Sequence, residues 1–259
     1  MKAESFSVPG FEFALRYDEV SSTMDAAREL ANRLASQGSG AALVCARRQT
    51  AGRGRQGRSW SVARKSFMGT YLLRTDAPPQ ALSGYSLAVG CAVSAALEGL
   101  GASVRLKWPN DVVVVRGDRL RKLGGILVEV HETDRARVLL VGIGVNLEGS
   151  PEGLPEASSV LEGCGVQIAP ESLEGPLSLA MLEMHHRFVS QGGFSSFERE
   201  WSQRSCFVAG TTEVSLDLGA RTVSGTYQGL DGSGAILLQA RDGLQVVHSG
   251  HVVSLRGLR

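Results

Sequence analysis

The sequence predicts a mixed α/β fold, in which helices flank a largely antiparallel sheet and a small all-β unit follows. Strand candidates at 104–115, 124–132 and 137–147 succeed one another with only short turns between them. Such direct succession favours an antiparallel or mixed sheet over a doubly wound parallel sheet. From position 210 onward the chain has short alternating strands, no helix signal and turns rich in Asp and Gly. That change of character indicates a small β-barrel.

The first hundred residues supply further strands and two helices. Residues 11–20 alternate well enough for a strand, and the hydroxyl groups of Ser22 and Thr23 can then cap a helix that extends to about Gln37. The remaining predicted elements of this part are strands at 41–46 and 66–74 and a helix at 82–97 that is rich in small residues.

The second half of the chain is predicted to contain a long loop, two helices and the β unit. The loop covers 148–169, which is rich in Pro, Gly, Ser and Glu, and a short helix is expected at 194–204. Between them lies an amphipathic helix at 171–190, whose apolar side carries Leu173, Leu177, Ala180, Met181, Met184 and Phe188. We therefore expect two domains, at 1–207 and 208–259.

The composition is that of an ordinary globular protein. The 259 residues are 43% hydrophobic and 20% charged, with a formal net charge of +1, so the whole chain has no bias toward polyanions. Its four scattered cysteines form no Cys-x-x-Cys pair, which predicts reduced thiols in a cytoplasmic protein. The five histidines have no ligand spacing, so no protein-bound transition metal is expected.

No targeting or membrane segment is expected. Positions 1–10 lack the apolar core of a signal peptide, and the most apolar run, at 87–97, falls well short of the roughly 20 residues that a membrane span requires.

The segment 52–58, Gly-Arg-Gly-Arg-Gln-Gly-Arg, predicts a loop that wraps an anionic ligand. Glycine lets backbone N–H groups approach a ligand closely, and the guanidinium groups of Arg53, Arg55 and Arg58 match phosphate or carboxylate oxygens. Seven basic residues and no acidic residue lie between Arg47 and Lys65. We expect these like charges to need an anion that neutralises them. The alternative is an exposed Gly/Arg loop that contacts nucleic acid.

Four motifs, taken together in their order, resemble the biotin–protein ligases. They are Ser-Ser-Thr-Met at 21–24, the loop at 52–58, Lys-Trp-Pro-Asn-Asp at 107–111, and Lys-Leu-Gly-Gly-Ile-Leu-Val-Glu at 122–129. A further segment, Gly-Ile-Gly-Val-Asn-Leu at 142–147, fits the same family. The resemblance covers roughly residues 13–205.

This resemblance implies a fold and a reaction. The fold is a class II aminoacyl-tRNA-synthetase-like catalytic domain with an SH3-like C-terminal barrel. The reaction uses MgATP to convert biotin to biotinyl-5′-AMP, which is then attacked by a lysine of a biotin carboxyl carrier protein, a subunit of acetyl-CoA carboxylase.

The resemblance also implies which residues bind biotin. Ser22 and Thr23 would contact the ureido head, although helix capping alone would equally explain both hydroxyl groups. Met24 stands where the family often has Asn, so a backbone contact is the one expected there. The other residues implied for the biotin site are Gln49, Gly52, Arg53, Gly54, Arg55, Lys122 and Gly124.

The ATP side of the implied site shares several of these residues. Lys122 is expected to reach the biotin carboxylate and the α-phosphate, and Arg53 and Arg55 to order over the adenylate. Asp111 would face the incoming lysine or a Mg²⁺ ion that the ATP phosphates hold. The remaining implied ATP contacts are Trp60, Lys107, Asn110, Gly142 and Asn146. For Trp60, anchoring of the loop in the core is the alternative.

Three other functions compete with this one. A lipoate–protein ligase or octanoyltransferase resembles the same fold but lacks the Gly-Arg-Gly-Arg loop combined with Lys-Trp-Pro-Asn-Asp. A DNA-binding repressor that senses biotinyl-AMP would need a winged helix, for which the dozen residues before the first catalytic strand are too few. A nucleic-acid-binding module predicts a wider basic surface. We expect no DNA and no membrane partner, and a monomer or a homodimer.

Overall fold

A computed structural model describes residues 3–36, 40–117 and 119–258, and its first 148 residues contribute the strands of an eight-stranded sheet. The strands are β1 (Ala3–Phe6), β2 (Phe13–Val20), β3 (Ala41–Gln49), β4 (Lys65–Thr75), β5 (Arg105–Lys107), β6 (Asp111–Arg116), β7 (Arg119–Glu132) and β8 (Arg137–Glu148). Their order in the sheet is β1-β2-β3-β4-β8-β7-β6-β5, and β2 and β3 are parallel whereas the other neighbours are antiparallel. The predicted mixed sheet is therefore confirmed.

Helices cover both faces of this sheet. They are α1 (Thr23–Ser36), α2 (Tyr85–Gly99), α3 (Val160–Cys164), α4 (Pro170–Ser190) and α5 (Glu198–Arg204), with short 3-10 turns at Arg55–Gly57, Pro79–Leu82 and Gly193–Phe197. The alternation of β4 assigns the faces: Leu72 belongs to the core that α1 covers, whereas Tyr71 and Leu73 belong to the core that α2 and α4 cover. Because successive side chains of a strand point to opposite faces of the sheet, β4 contributes residues to both hydrophobic cores.

Helix α1 lies close to the sheet because it buries small side chains. Ala27 and Ala31 are fully buried beside Leu34, and together they contact residues of β3, β4 and β8. Its first turn is capped as expected, since the Met24 backbone N–H donates to Ser22 Oγ over 3.3 Å. The helix ends at Ser36 in the structure, and the predicted end at Gln37 lies outside the described residues.

The prediction of one continuous strand over 104–115 is wrong. The chain turns at Trp108–Asn110, and β5 and β6 pair with each other in antiparallel register, Leu106 opposite Val112. Apolar residues continue on both sides of the turn because both strands face the same core, which made the hairpin look like a single strand. Pro109 marks the turn, since it has no N–H to offer a ladder.

Two helical predictions also need correction. The expected loop at 148–169 contains the short helix α3, which begins after Ser159, whose Oγ accepts a hydrogen bond from the Glu162 N–H over 3.3 Å. The helix predicted at 194–204 divides into the 3-10 turn Gly193–Phe197 and α5. Both regions consist of short elements, which lack the long apolar period that identifies a helix in the sequence.

The C-terminal part forms a separate five-stranded antiparallel sheet, which confirms the predicted small β unit. Its strands are β9 (Glu213–Asp217), β10 (Thr222–Leu230), β11 (Ile236–Ala240), β12 (Gly243–Val247) and β13 (His251–Arg256), in the order β12-β11-β10-β9-β13. The expected turns near 217–219, 231–234 and 242–243 all separate consecutive strands.

The two sheets are joined by a buried contact around Gly234. Trp108 Nε1 donates a 3.0 Å hydrogen bond to the Gly234 carbonyl, and the Trp108 side chain is 1% exposed. A Cβ at Gly234 would lie 2.6 Å from Leu87 Cδ1, so the turn between β10 and β11 packs directly on α2. Gly234 also has a φ of +82°, a conformation that favours glycine.

One segment of the described chain, Pro79–Gly99, is long and apolar enough to span a membrane by length and composition. This segment is longer than the apolar run at 87–97 that was identified in the sequence. Of its most apolar window, 61% is buried inside the protein, and α2 packs between the sheet and α4. The burial is that of a core helix.

Replacement of Trp108 by Phe is expected to destabilise the protein by about 1–3 kcal/mol, because the buried Gly234 carbonyl loses its donor. Urea unfolding measures the change in free energy. Trp201→Phe, which removes the same volume from an equally buried indole in α5, is the control for lost packing. Equal destabilisation by the two substitutions would contradict a specific contribution from the bond between the sheets.

Candidate active site

A cavity opens where the basic loop, the start of α1 and the hairpin turn of β5 and β6 meet the middle of the sheet. It encloses about 970 Å³ of space, part of which is open to solvent. The sequence-predicted residues that line it are Ser22, Thr23, Met24, Gln49, Arg53, Gly54, Arg55, Trp60, Lys107, Asn110, Asp111, Lys122 and Gly142. Four separate motifs therefore contribute to one site.

Three predicted site residues do not line this cavity. Asn146 is 2% exposed and is held by Ser66 Oγ and the Ser158 carbonyl, both at 3.3 Å, so its amide stabilises the protein interior instead of facing the cavity. A Cβ at Gly124 would lie 2.7 Å from the Gly144 carbonyl, and one at Gly52 would lie 3.1 Å from the Trp60 carbonyl. These glycines permit close approach of neighbouring backbones.

The start of α1 forms a hydrogen-bonded wall of the cavity. Gln49 Oε1 accepts from the Thr23 backbone N–H at 2.7 Å and from Thr23 Oγ1 at 3.2 Å. Thr70, which was not among the predicted site residues, donates from its Oγ1 to Thr23 Oγ1 at 2.9 Å. Gln49 is thus an integral part of the helix start, and Ser22 and Thr23 combine the capping role with a position on the cavity wall.

Most of the basic residues around the loop are neutralised by the protein itself, contrary to the expectation that they need an external anion. Arg53 spans two elements, with 2.9 Å to Asp25 Oδ1 of α1 and 3.0 Å to Glu129 Oε1 of β7. Four further residues pair with carboxylates of neighbouring strands: Arg47 with Asp18, Arg48 with Glu19, and both Arg64 and Lys65 with Glu148. In the described part of the chain, the structure gives Arg55 and Arg58 no ion pair.

Arg55 is the loop cation that lies deepest in the cavity. Its Nη1 donates to Asn110 Oδ1 over 3.1 Å, and Asn110 is fixed in turn by the Ile126 backbone, with bonds of 2.8 and 3.0 Å. Burial lowers the pKa of the Arg55 guanidinium, and the Arg58 charge acts in the same direction, whereas Asp111 opposes them. The guanidinium remains a cation at neutral pH, because an arginine pKa starts above 12.

Asp111 lies between two ammonium groups. Its carboxylate is 2.5 Å from Lys122 Nζ and 3.9 Å from Lys107 Nζ, and its side chain is 16% exposed. The backbone of Lys122 is held on both sides, since its N–H donates to the Glu156 carbonyl and its carbonyl accepts from the Ser158 N–H, each at 2.8 Å. Lys122 is therefore a positioned cation at the cavity wall.

The Trp60 ring covers the glycine positions of two adjacent strands. A Cβ at Gly144 would lie 2.6 Å from the ring, and one at Gly125 would lie 3.3 Å from it and 3.4 Å from Lys122 Nζ. Lys122 Nζ is 5.9 Å from the ring centroid. Trp60 Nε1 is buried and finds no hydrogen-bond acceptor among the described residues. Trp60 therefore lines the cavity while its ring packs on the sheet.

Some lining residues were not predicted as site residues. Ile126, Leu127 and Ile143 lie within the motif segments, where they were not singled out, whereas Gly250, His251 and Val252 come from the C-terminal part, more than a hundred residues beyond the motifs. Burial lowers the pKa of the His251 imidazole, and the nearby charges of Arg58 and Lys107 act in the same direction. Only the three-dimensional packing of the two sheets brings these residues to the cavity.

The site has no cage for a metal ion in the part of the chain described. That part contains no group of three His, Cys, Asp or Glu side chains that could hold one. Asp111, which was expected to face the incoming lysine or Mg²⁺, is paired with two ammonium groups. A single carboxylate with two cations beside it does not by itself form a binding site for a divalent cation.

Two known families match the chain in sequence. Residues 18–146 match the Biotin/lipoate A/B protein ligase family, and residues 212–254 match the Biotin protein ligase C terminal domain. A biotin–[acetyl-CoA-carboxylase] ligase of Paracoccus denitrificans is 32% identical over 238 residues, which cover 88% of this chain and 96% of that protein. The bifunctional ligase/repressor BirA of Bacillus subtilis is 31% identical over 248 residues, 91% of this chain and 72% of that protein.

Solved structures agree with these matches. The biotin protein ligase from Aquifex aeolicus in complex with biotin and ATP has a TM-score of 0.74 to this structure at 26% identity, covering 95% of this chain and 99% of that one. This coverage extends over nearly the whole chain and so includes the regions that match the two sequence families, 18–146 and 212–254. The chain belongs to the biotin protein ligase family.

Proposed function

We propose that this protein uses ATP to activate biotin as biotinyl-5′-AMP and then transfers biotin to a lysine of a biotin carboxyl carrier protein, as a biotin–[acetyl-CoA-carboxylase] ligase. The proposal rests on one observation, which is that two parts of the cavity lining differ in their chemistry. Hydrogen-bonding groups of Thr23 and Gln49 stand on one side, and the cations Arg55 and Lys122 stand on the other. A ligand with a polar ring at one end and a carboxylate at the other fits this arrangement.

In this proposal the biotin ring occupies the wall that α1 and β8 form. Met24 and Leu127 offer apolar surface there. A Cβ at Gly142 would lie 2.8 Å from the Met24 sulfur, so this glycine allows α1 to approach the strand. The Thr23 and Ser22 hydroxyl groups would bind the ureido head by resemblance to the family.

The first step needs cations at the α-phosphate. A carboxylate oxygen of biotin attacks the α-phosphorus of ATP, the bond to the bridging oxygen breaks, and pyrophosphate leaves. Lys122 is placed to stabilise the charge that develops there, and Arg55 to cover the product. Positioning and electrostatic stabilisation provide most of the catalysis in such transfers.

Mg²⁺ enters this scheme with ATP as part of the substrate. Its ligands would be phosphate oxygens and water, since the ion usually keeps several waters and few protein ligands. Asp111 has the separate role of holding Lys122 and Lys107 at the site.

We also propose that residues 1–207 form the catalytic domain and residues 208–259 a second domain that closes one side of the cavity. The two separate sheets support this division. A cytoplasmic location accords with the scattered, unpaired cysteines among the described residues. The alternative of a nucleic-acid-binding module loses its main support, because the protein neutralises five of the seven basic residues between Arg47 and Lys65.

ATP-dependent release of pyrophosphate is expected to require biotin and to fail with lipoate or octanoate. The reason is that the hydroxyl groups of Ser22 and Thr23 and the side-chain amide of Gln49 line the cavity, and a ureido ring can hydrogen-bond to such groups whereas an alkyl chain cannot. A coupled pyrophosphate assay with the three acids side by side measures the preference. Equal turnover of lipoate would assign the protein to the competing activity.

Lys122→Ala is expected to lower the rate of adenylate formation by roughly 100-fold or more, as the loss of other preorganised electrostatic donors does. Single-turnover quench-flow with biotin and ATP measures this rate. Lys65→Ala is the matched control, because Lys65 pairs with Glu148 at 2.8 Å and does not line the cavity. Near-wild-type adenylation in Lys122→Ala would remove this lysine from the catalytic centre.

Arg55→Ala is expected to let biotinyl-AMP escape, because the guanidinium that bridges the loop to Asn110 is lost. Released intermediate should then modify exposed lysines of unrelated proteins, which streptavidin blotting detects. Arg48→Ala, which removes an exposed arginine paired with Glu19, is the control. If both variants retain the intermediate as the wild type does, the loop does not act as a cover.

A further inference from the structure

His251 is the one imidazole among the described residues that line the cavity, and it comes from β13 of the C-terminal sheet. It follows Gly250 and is part-buried. His251 lines the same cavity as Lys122 and Asp111, although it is far from both of them in the sequence.

Charged groups face His251 from several elements. Arg58 of the basic loop and Lys107 of β5 are cations, whereas Asp111 of β6 and Asp217 of β9 are carboxylates. Burial and the two cations lower the pKa of the imidazole below its usual 6.5, and the carboxylates oppose them. At neutral pH the ring is therefore mostly uncharged and can accept a proton.

The transfer of biotin to a lysine requires a group that accepts a proton. A lysine side chain has an ordinary pKa of about 10.4, so at neutral pH the acceptor arrives as an ammonium ion, which is not a nucleophile. Among the described lining residues, only Asp111 and His251 have a carboxylate or an imidazole that could take the proton. The Asp111 carboxylate is engaged by Lys122 at 2.5 Å and has Lys107 at 3.9 Å.

We propose that His251 accepts the proton of the acceptor lysine in the transfer step, an inference that rests on the proposed function. The imidazole takes one proton from the ε-ammonium, and the freed amine pair forms a bond to the carbonyl carbon of biotinyl-AMP. The bond from that carbon to the phosphate oxygen breaks, and its electron pair leaves with AMP. The second amine proton passes to solvent as the amide forms.

The test compares two amines in single turnovers of enzyme loaded with biotinyl-AMP. Nα-acetyl-lysine amide needs a base at neutral pH, whereas hydroxylamine is already unprotonated and needs none. In His251→Gln, the ratio of the lysine rate to the hydroxylamine rate is expected to fall roughly 100-fold, within the range that general-base catalysis contributes. His186→Gln, on the exposed side of α4, is the control and should leave this ratio unchanged.

The pH profile provides a second readout. The wild-type lysine rate should fall as the pH drops through the imidazole pKa and be level above it, because only the neutral ring is a base. In His251→Gln the rate should instead rise steadily with pH, as the amine itself deprotonates. Added imidazole should restore part of the lysine rate in His251→Ala.

An equal fall of both amine rates would overturn the proposal, because it would mean that His251 only positions the adenylate. An unchanged pH profile in His251→Gln would overturn it as well. Failure of the wild-type protein to form biotinyl-AMP at all is a distinguishable outcome, which would overturn the proposed function and this inference with it.

Discussion

The Asp111 carboxylate, held between the ammonium groups of Lys122 and Lys107, is the interaction on which the rest of the site depends. Like charges on two lysines at one cavity wall would repel each other, and a carboxylate between them allows both to stay there. The strand register makes this possible, because Gly125 stands opposite Asp111 and leaves the Lys122 side chain free to reach it. The hairpin of β5 and β6 therefore positions charge as well as completing the sheet.

In the basic loop, too, carboxylates of the protein neutralise a cationic side chain. Arg53 connects the loop to α1 and β7 through Asp25 and Glu129, so the backbone around Gly54 has a defined place over the cavity. The flanking arginines are paired at the surface, where ion pairs contribute little to stability but cancel charge. The charge that remains is concentrated at Arg55 and Arg58, which focuses the electric field on the cavity instead of spreading it over the surface.

The sequence predicted most strands and helices because alternation and apolar periodicity reflect burial, and the family resemblance predicted thirteen of the lining residues. Prediction from the sequence failed where two strands share one apolar pattern, as on either side of the turn at Trp108–Asn110. It also failed where a helix is marked mainly by its capping residue, as at Ser159. The sequence did not show that Asn146 is held by Ser66 and Ser158, because a strand position indicates which face a side chain takes but not what covers it. His251 could not be found, since its approach depends on packing between the two sheets.

The central claim is that the cations around Asp111 direct the biotin carboxylate to the α-phosphorus of ATP. Biotin carrying ¹⁸O in its carboxylate tests this directly, with mass spectrometry of the nucleotide and phosphate products after transfer to an amine. One labelled oxygen should appear in AMP, because the oxygen that attacks the α-phosphorus leaves with AMP when the amide forms. Label in orthophosphate, with ADP as the nucleotide product, would mean attack at the γ-phosphorus and would contradict the account.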